Sequence, residues 1–105
     1  MNGVSLSLHM YEMEKHHGMA LYEWLLEFAR KNDLEGGAVY RAIAGYGHHG
    51  KIHEERFFEL ASNVPIQVVF ISEKKKIQQF LEKLKAEKIS LFHVMSEVNF
   101  GILDL

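Results

Sequence analysis

The segment Val64-Pro65-Ile66-Gln67-Val68-Val69-Phe70-Ile71 constrains the fold more than any other, because Gln67 is its lone polar side chain. Successive side chains of a strand point to opposite faces, so such a strand needs cover on both sides. Pro65 stands at its start, where a missing donor is tolerable. The chain begins with a different pattern. Val4, Leu6, Leu8 and Met10 alternate with Ser5, Ser7, His9 and Tyr11, the period of a strand with one buried face.

Between these strands, Leu21, Leu25, Phe28 and Ala29 recur at helical spacing, which predicts an amphipathic helix from Gly18 to about Asp33. Gly36-Gly37 separates it from a second strand expected over Ala38–Tyr46. Ser72 reads as the N-cap of a second helix, with Ile77, Phe80, Leu81 and Leu84 as its buried stripe and its end near Glu87. A fourth strand follows, with Phe92, Val94, Val98, Phe100 and Ile102 expected on one face. The order is βαββαβ. It predicts an α+β, ferredoxin-like sandwich in which two helices cover one face of an antiparallel sheet. The other face of the third strand then lacks a cover, and self-association supplies one economically.

With 105 residues the chain has room for one core, so residues 1–105 read as a single domain with a long loop, 48–63, between strands two and three. A net charge of -2 offers no basic field for nucleic acid. The absence of cysteine excludes disulfides and thiolate metal sites. No apolar run reaches the ~20 residues that span a bilayer, and the first residues lack the pattern of a signal peptide. The expectation is a cytoplasmic protein that is not membrane-embedded.

Topology gathers chemistry at one edge. In a right-handed βαβ crossover, strands one and two are parallel, so the end of strand one, the start of helix one and the end of strand two meet. The turn after helix two joins them. That edge collects Glu14, His16, His17 and Gly18, then Arg41 through His53, then Lys85 and Lys88. Gly45-Tyr46-Gly47 lets backbone N–H groups approach a ligand, Lys51 offers a charge, and the N-terminus of helix one offers partial positive charge. The edge suits a phosphate-bearing ligand, although the same glycine pair also serves an ordinary turn or bulge. His48, His49 and His53, with His16 and His17 across the edge, form a histidine-rich group, but no metal site is assigned, since adjacent histidines do not easily chelate together. Glu14, Glu54 and Glu55 show no spacing that defines an acid–base pair, and no nucleophile motif is present. Ser62 reads as a turn residue, Tyr22 and Trp24 as core or interface, and Phe57 and Phe58 as an apolar pair in the long loop.

The stretches His17-Gly18 with Leu21-Tyr22-Glu23, Gly37 through Gly47, Ile52-His53 and Leu60 through Pro65 resemble the PII-like proteins of domain-of-unknown-function family 190. Within them, Val39-x-Arg41-x-Ile43-x-Gly45-Tyr46-Gly47 followed by Ile52-His53 is the specific part. Ala20 stands where the family usually has proline, and Ala42 where it usually has glycine. Lys85-Ala86-Glu87-Lys88-Ile89-Ser90 replaces the glycine-rich phosphate loop of true PII proteins.

The resemblance implies a homotrimer packed sheet to sheet about a threefold axis, with adenine nucleotide (AMP, ADP or ATP) held in clefts between subunits. It implies a nucleotide site drawn from His17, Arg41, Gly45, Tyr46, Gly47, Lys51 and His53, and no catalytic residues. Loop 48–63 would correspond to the PII T-loop and signal to an unidentified protein target. The expected function is a PII-like regulator and not an enzyme. The alternative is a metal-binding trimer resembling the divalent-cation tolerance proteins, which share the fold.

Overall fold

The computed structural model describes residues 1–46, 53–54 and 63–104. Along the chain run β1 (Asn2–Tyr11), β2 (Lys15–His16), β3 (Met19–Ala20), α1 (Leu21–Lys31), β4 (Gly37–Arg41), β5 (Ala44–Gly45), β6 (His53–Glu54), β7 (Pro65–Ser72), α2 (Lys74–Ala86) and β8 (Phe92–Asn99). Among the described residues, the main sheet has the order β4-β7-β1-β8. Every neighbouring pair in it is antiparallel. β1 and β4, both antiparallel to β7, therefore run parallel to each other, as the crossover requires. This is the expected ferredoxin-like arrangement, and no helix among the described residues is long and apolar enough to cross a membrane.

Register explains the core. Leu6 pairs with Phe70, Leu8 with Val68 and Met10 with Ile66, so the apolar sets of the two central strands share one face. Leu21, Leu25 and Ala29 of α1 and Ile77, Phe80 and Leu84 of α2 close over it, all buried. Phe80 sits at the centre, with its ring 5.4 Å from that of Phe70 and 5.9 Å from that of Phe28. Gly37 permits the sheet's close approach to this layer: a Cβ there would lie 2.5 Å from the Phe70 ring. The opposite face carries Tyr40, Val69, Ile71, Phe92 and Val94, and no element among the described residues packs over it. Phe92 is 71% exposed and Tyr40 54%.

Three boundaries depart from expectation. Ser72 is not the N-cap of α2: β7 runs through it, paired with Val4, and its alternation with Phe70 turns the hydroxyl into the helix-covered face. There it is fully buried and donates to Glu35 Oε2 at 2.9 Å, while Glu73 stands at the cap without a side-chain bond. The second strand stops at Arg41 instead of continuing to Tyr46. Its partner β7 begins at Pro65, whose carbonyl accepts a last bond from Ala42 N at 2.9 Å, after which Ala44–Gly45 pairs separately with His53–Glu54. The fourth strand ends at Asn99 because β1 has run out; Phe100 N donates to Met1 O, and Ile102 is 97% exposed instead of lying on a strand face. Phe92, Val94 and Val98 do share a face, the uncovered one.

Candidate functional site: the histidine and arginine edge

The segment joining β1 to α1 is a folded hairpin, where the sequence suggested only the start of a helix. β2 and β3 pair through Lys15 with Ala20 and His16 with Met19, leaving His17-Gly18 as a two-residue turn. Both turn residues have positive φ, 52° and 80°. That is what a type I′ hairpin turn requires of its central pair, and glycine supplies it without steric cost. Glu14 fixes the base of the hairpin: its carboxylate accepts from Tyr11 N at 2.7 Å and its carbonyl from Leu21 N at 2.7 Å. The latter bond occupies the first N–H of α1, whose N-cap Ala20 has no side chain to offer.

The turn brings two adjacent histidines to one point. His16 Nε2 and His17 Nε2 each lie 3.1 Å from Glu87 Oε1, with the imidazole rings 4.1 Å apart. Glu87 is the C-cap of α2, where the helix dipole favours positive partners. The bonds from His16 and then His17 hold its carboxyl below the usual carboxylate range. His16 is packed edge-on against Trp24, 4.4 Å between centroids, and Trp24 stacks on Phe28 at 4.6 Å. Beside the cluster lies a hollow of about 290 Å³ whose walls include Glu14, Lys15, His16, Lys88 and Ser90.

Arg41 occupies a second position on the same edge. One guanidinium nitrogen reaches both oxygens of Glu12, at 2.8 and 2.6 Å. Tyr22 lies close by: burial first, then the charges of Glu23 and Glu12, push its hydroxyl above the ordinary tyrosine range, and Arg41 pulls against them. The loop's far end is tied in through Glu12 N to Val64 O at 2.8 Å and Met13 N to Asn63 Oδ1 at 3.1 Å. A cleft of about 270 Å³ opens beside Arg41, bordered by His9, Tyr40, Ala42 and Gln67.

Of the residues expected at the site, Gly45 and His53 are brought opposite each other by the pairing of β5 and β6. Tyr46 is 74% exposed. Among the described residues, a Cβ built on Gly45 meets nothing within 4 Å. His17 and Arg41 each hold a separate carboxylate. Gly47, Lys51, His48, His49, Glu55, Phe57, Phe58, Ser62 and most of loop 48–63 lie outside the described residues, as do the side chains of His53 and Glu54. Glu12 and Glu87 are the residues that sequence reasoning passed over. Position at the shared edge was a signal for Glu87, but its pairing with both histidines depends on the hairpin turn.

Residues 3–100 match the model of family DUF190, described as "Uncharacterized ACR". A UPF0166 protein of Aquifex aeolicus is 43% identical over 76 residues, covering 72% of each chain. A second UPF0166 protein, from Methanocaldococcus jannaschii, is 28% identical over 79 residues, which are 75% of this chain and 72% of that one. Among solved structures, CPII from Thiomonas intermedia, a nitrogen regulatory PII-like protein bound to ADP, AMP and bicarbonate, superposes with a TM-score of 0.69 at 14% identity, covering 97% of this chain and 91% of that one. A PII-like protein of Thermus thermophilus gives a TM-score of 0.61 at 14% identity, with 92% and 86% covered. The fold is that of the PII-like proteins, and the chain belongs to the DUF190 family.

Proposed function

We propose that this protein is a PII-like regulator that binds an adenine nucleotide between the subunits of a homotrimer and passes the signal to a protein target through loop 48–63. The observation that carries this reading is the superposition on CPII over nearly the whole chain, a protein solved with ADP and AMP. Two features of the chain support it. The uncovered sheet face, with Tyr40, Ile71, Phe92 and Val94 exposed, is apolar in the way a subunit interface requires. Gly45, with no described residue within 4 Å of a Cβ built there, offers bare backbone to a ligand's phosphate.

In this reading Arg41 exchanges Glu12 for phosphate, His17 borders the site from the hairpin, and Gly45, Tyr46, Gly47, Lys51 and His53 complete it. The role is binding and regulation, without catalysis. Isothermal titration of metal-free protein with AMP, ADP, ATP and cyclic AMP, with light scattering for mass, tests it. Saturable binding at up to three sites per trimer is expected. Gly45→Val is expected to abolish that binding while the subunit keeps its thermal stability, because the added Cβ meets nothing within 4 Å among the described residues. Wild-type affinity in the variant would place the phosphate elsewhere, and a chain silent to all four nucleotides would remove the reading.

A further inference from the structure

The structure assigns a divalent transition-metal site to His16, His17 and Glu87. Adjacent histidines on a strand point to opposite faces and do not share an ion. Here the positive φ of His17 and Gly18 undoes that alternation and turns both Nε2 atoms toward one carboxylate oxygen. The three groups' ligand atoms all lie within 4.8 Å of one another. Two ligands about 2.1 Å from a tetrahedral ion lie about 3.4 Å apart, so the 3.1 Å separations need little adjustment to admit one.

Two imidazoles and a carboxylate, without thiolate, suit zinc, nickel, copper or cobalt over calcium or magnesium. Three protein ligands leave a fourth position for water or a small ligand, as in open zinc sites. The scaffold is rigid where a site needs it. Trp24 braces the His16 ring, whose side chain is only 17% exposed, while Glu87 is fixed at a helix end and followed by Lys88 with a φ of 57°. His17, 66% exposed, is the open side. The site shares His17 with the proposed nucleotide site, but the nucleotide reading does not require the ion.

The test uses full-length protein freed of metal by chelation and titrated with zinc in the absence of nucleotide, with cobalt absorption in the visible as a report of ligand geometry. Wild type is expected to bind one ion per chain and to gain thermal stability from it. Glu87→Gln, nearly isosteric, and His17→Ala, at an exposed position, are each expected to weaken binding by more than about tenfold and to lose the zinc-induced stabilisation. A variant with His48, His49 and His53 all replaced by alanine is expected to bind as wild type does. Both single variants must first match the apo wild type in thermal unfolding; if only one does, that one decides. A wild type that takes up no zinc, or zinc retained by Glu87→Gln and His17→Ala alike, would overturn the assignment. A nucleotide titration run in parallel would be unaffected by that failure.

Discussion

Ser72 and Lys76 converge on one carboxylate, that of Glu35. Lys76 and then the Ser72 hydroxyl hydrogen-bond it and hold its pKa at about 2, well under the ordinary value, while Lys76 is raised in turn. Glu35 is therefore more acidic folded than unfolded. Its contribution to stability is complete above the unfolded value of about 4.3 and is lost as pH falls through about 2. The lysine contributes in the opposite sense, fully below its ordinary range and progressively less as pH rises through its raised folded value. Both side chains face solvent, so the effect is that of a screened surface pair. Thermal unfolding of wild type and Glu35→Gln across pH is expected to show a gap between the two that closes from about pH 4 toward pH 2; a gap independent of pH would mean that the carboxylate's charge contributes nothing. Glu35 also explains why Ser72 misleads in sequence. A serine before a helical stripe has the look of a cap, and only the strand register, which turns the hydroxyl inward toward a residue 37 positions away, shows another use.

Elements were legible where one periodicity governs them and obscure where pairing partners decide. The alternation of Val4 to Met10 and the stripe of Ile77, Phe80 and Leu84 are local patterns that specify a face directly, and each has that face buried. The end of β4 is different. Nothing between Ala38 and Tyr46 marks Arg41 as a terminus; the limit is set by Pro65 on another strand. The β2–β3 hairpin escaped for a related reason: its strands are two residues each, too short for any period to register, although His17-Gly18 is a turn pair. The candidate site inherits this division. The shared edge follows from element order, whereas the carboxylates of Glu12 and Glu87 depend on how short segments are joined there. Where the stripes do govern, the energetics are those of packing. Phe80 is fully buried between Phe28 and Phe70, so Phe80→Ala is expected to cost about 3–5 kcal/mol in chemical denaturation, as transfer and cavity terms add. A loss under about 1 kcal/mol would mean that the helix layer collapses into the gap, or is less tightly packed than these contacts imply.

For the whole molecule, the decisive feature is that, among the described residues, helices cover only one of the sheet's two faces. On the other, Ser7 Oγ donates to Gln67 Oε1 at 2.8 Å, which pairs the polar side chain that β7 places on this face. Around that pair stand Tyr40, Val69, Ile71, Phe92 and Val94, with the Phe92 ring 5.4 Å from that of His9. A chain that leaves such a surface uncovered has a strong reason to associate, and closed symmetry limits the result to a defined number of copies. In the proposed PII-like reading that number is three. Light scattering is therefore expected to give three times the chain's 12.2 kDa. Val94, 47% exposed on edge strand β8, stands outside the buried core cluster, so Val94→Arg is expected to place a charge in the proposed interface without disturbing the subunit. The variant is expected to run as a monomer with the far-UV circular dichroism of wild type, and to lose nucleotide binding too if the clefts lie between subunits. A wild type already monomeric would contradict assembly. A trimer unaffected by Val94→Arg would instead move the contact off this face, and the apolar surface would then be left for the protein target.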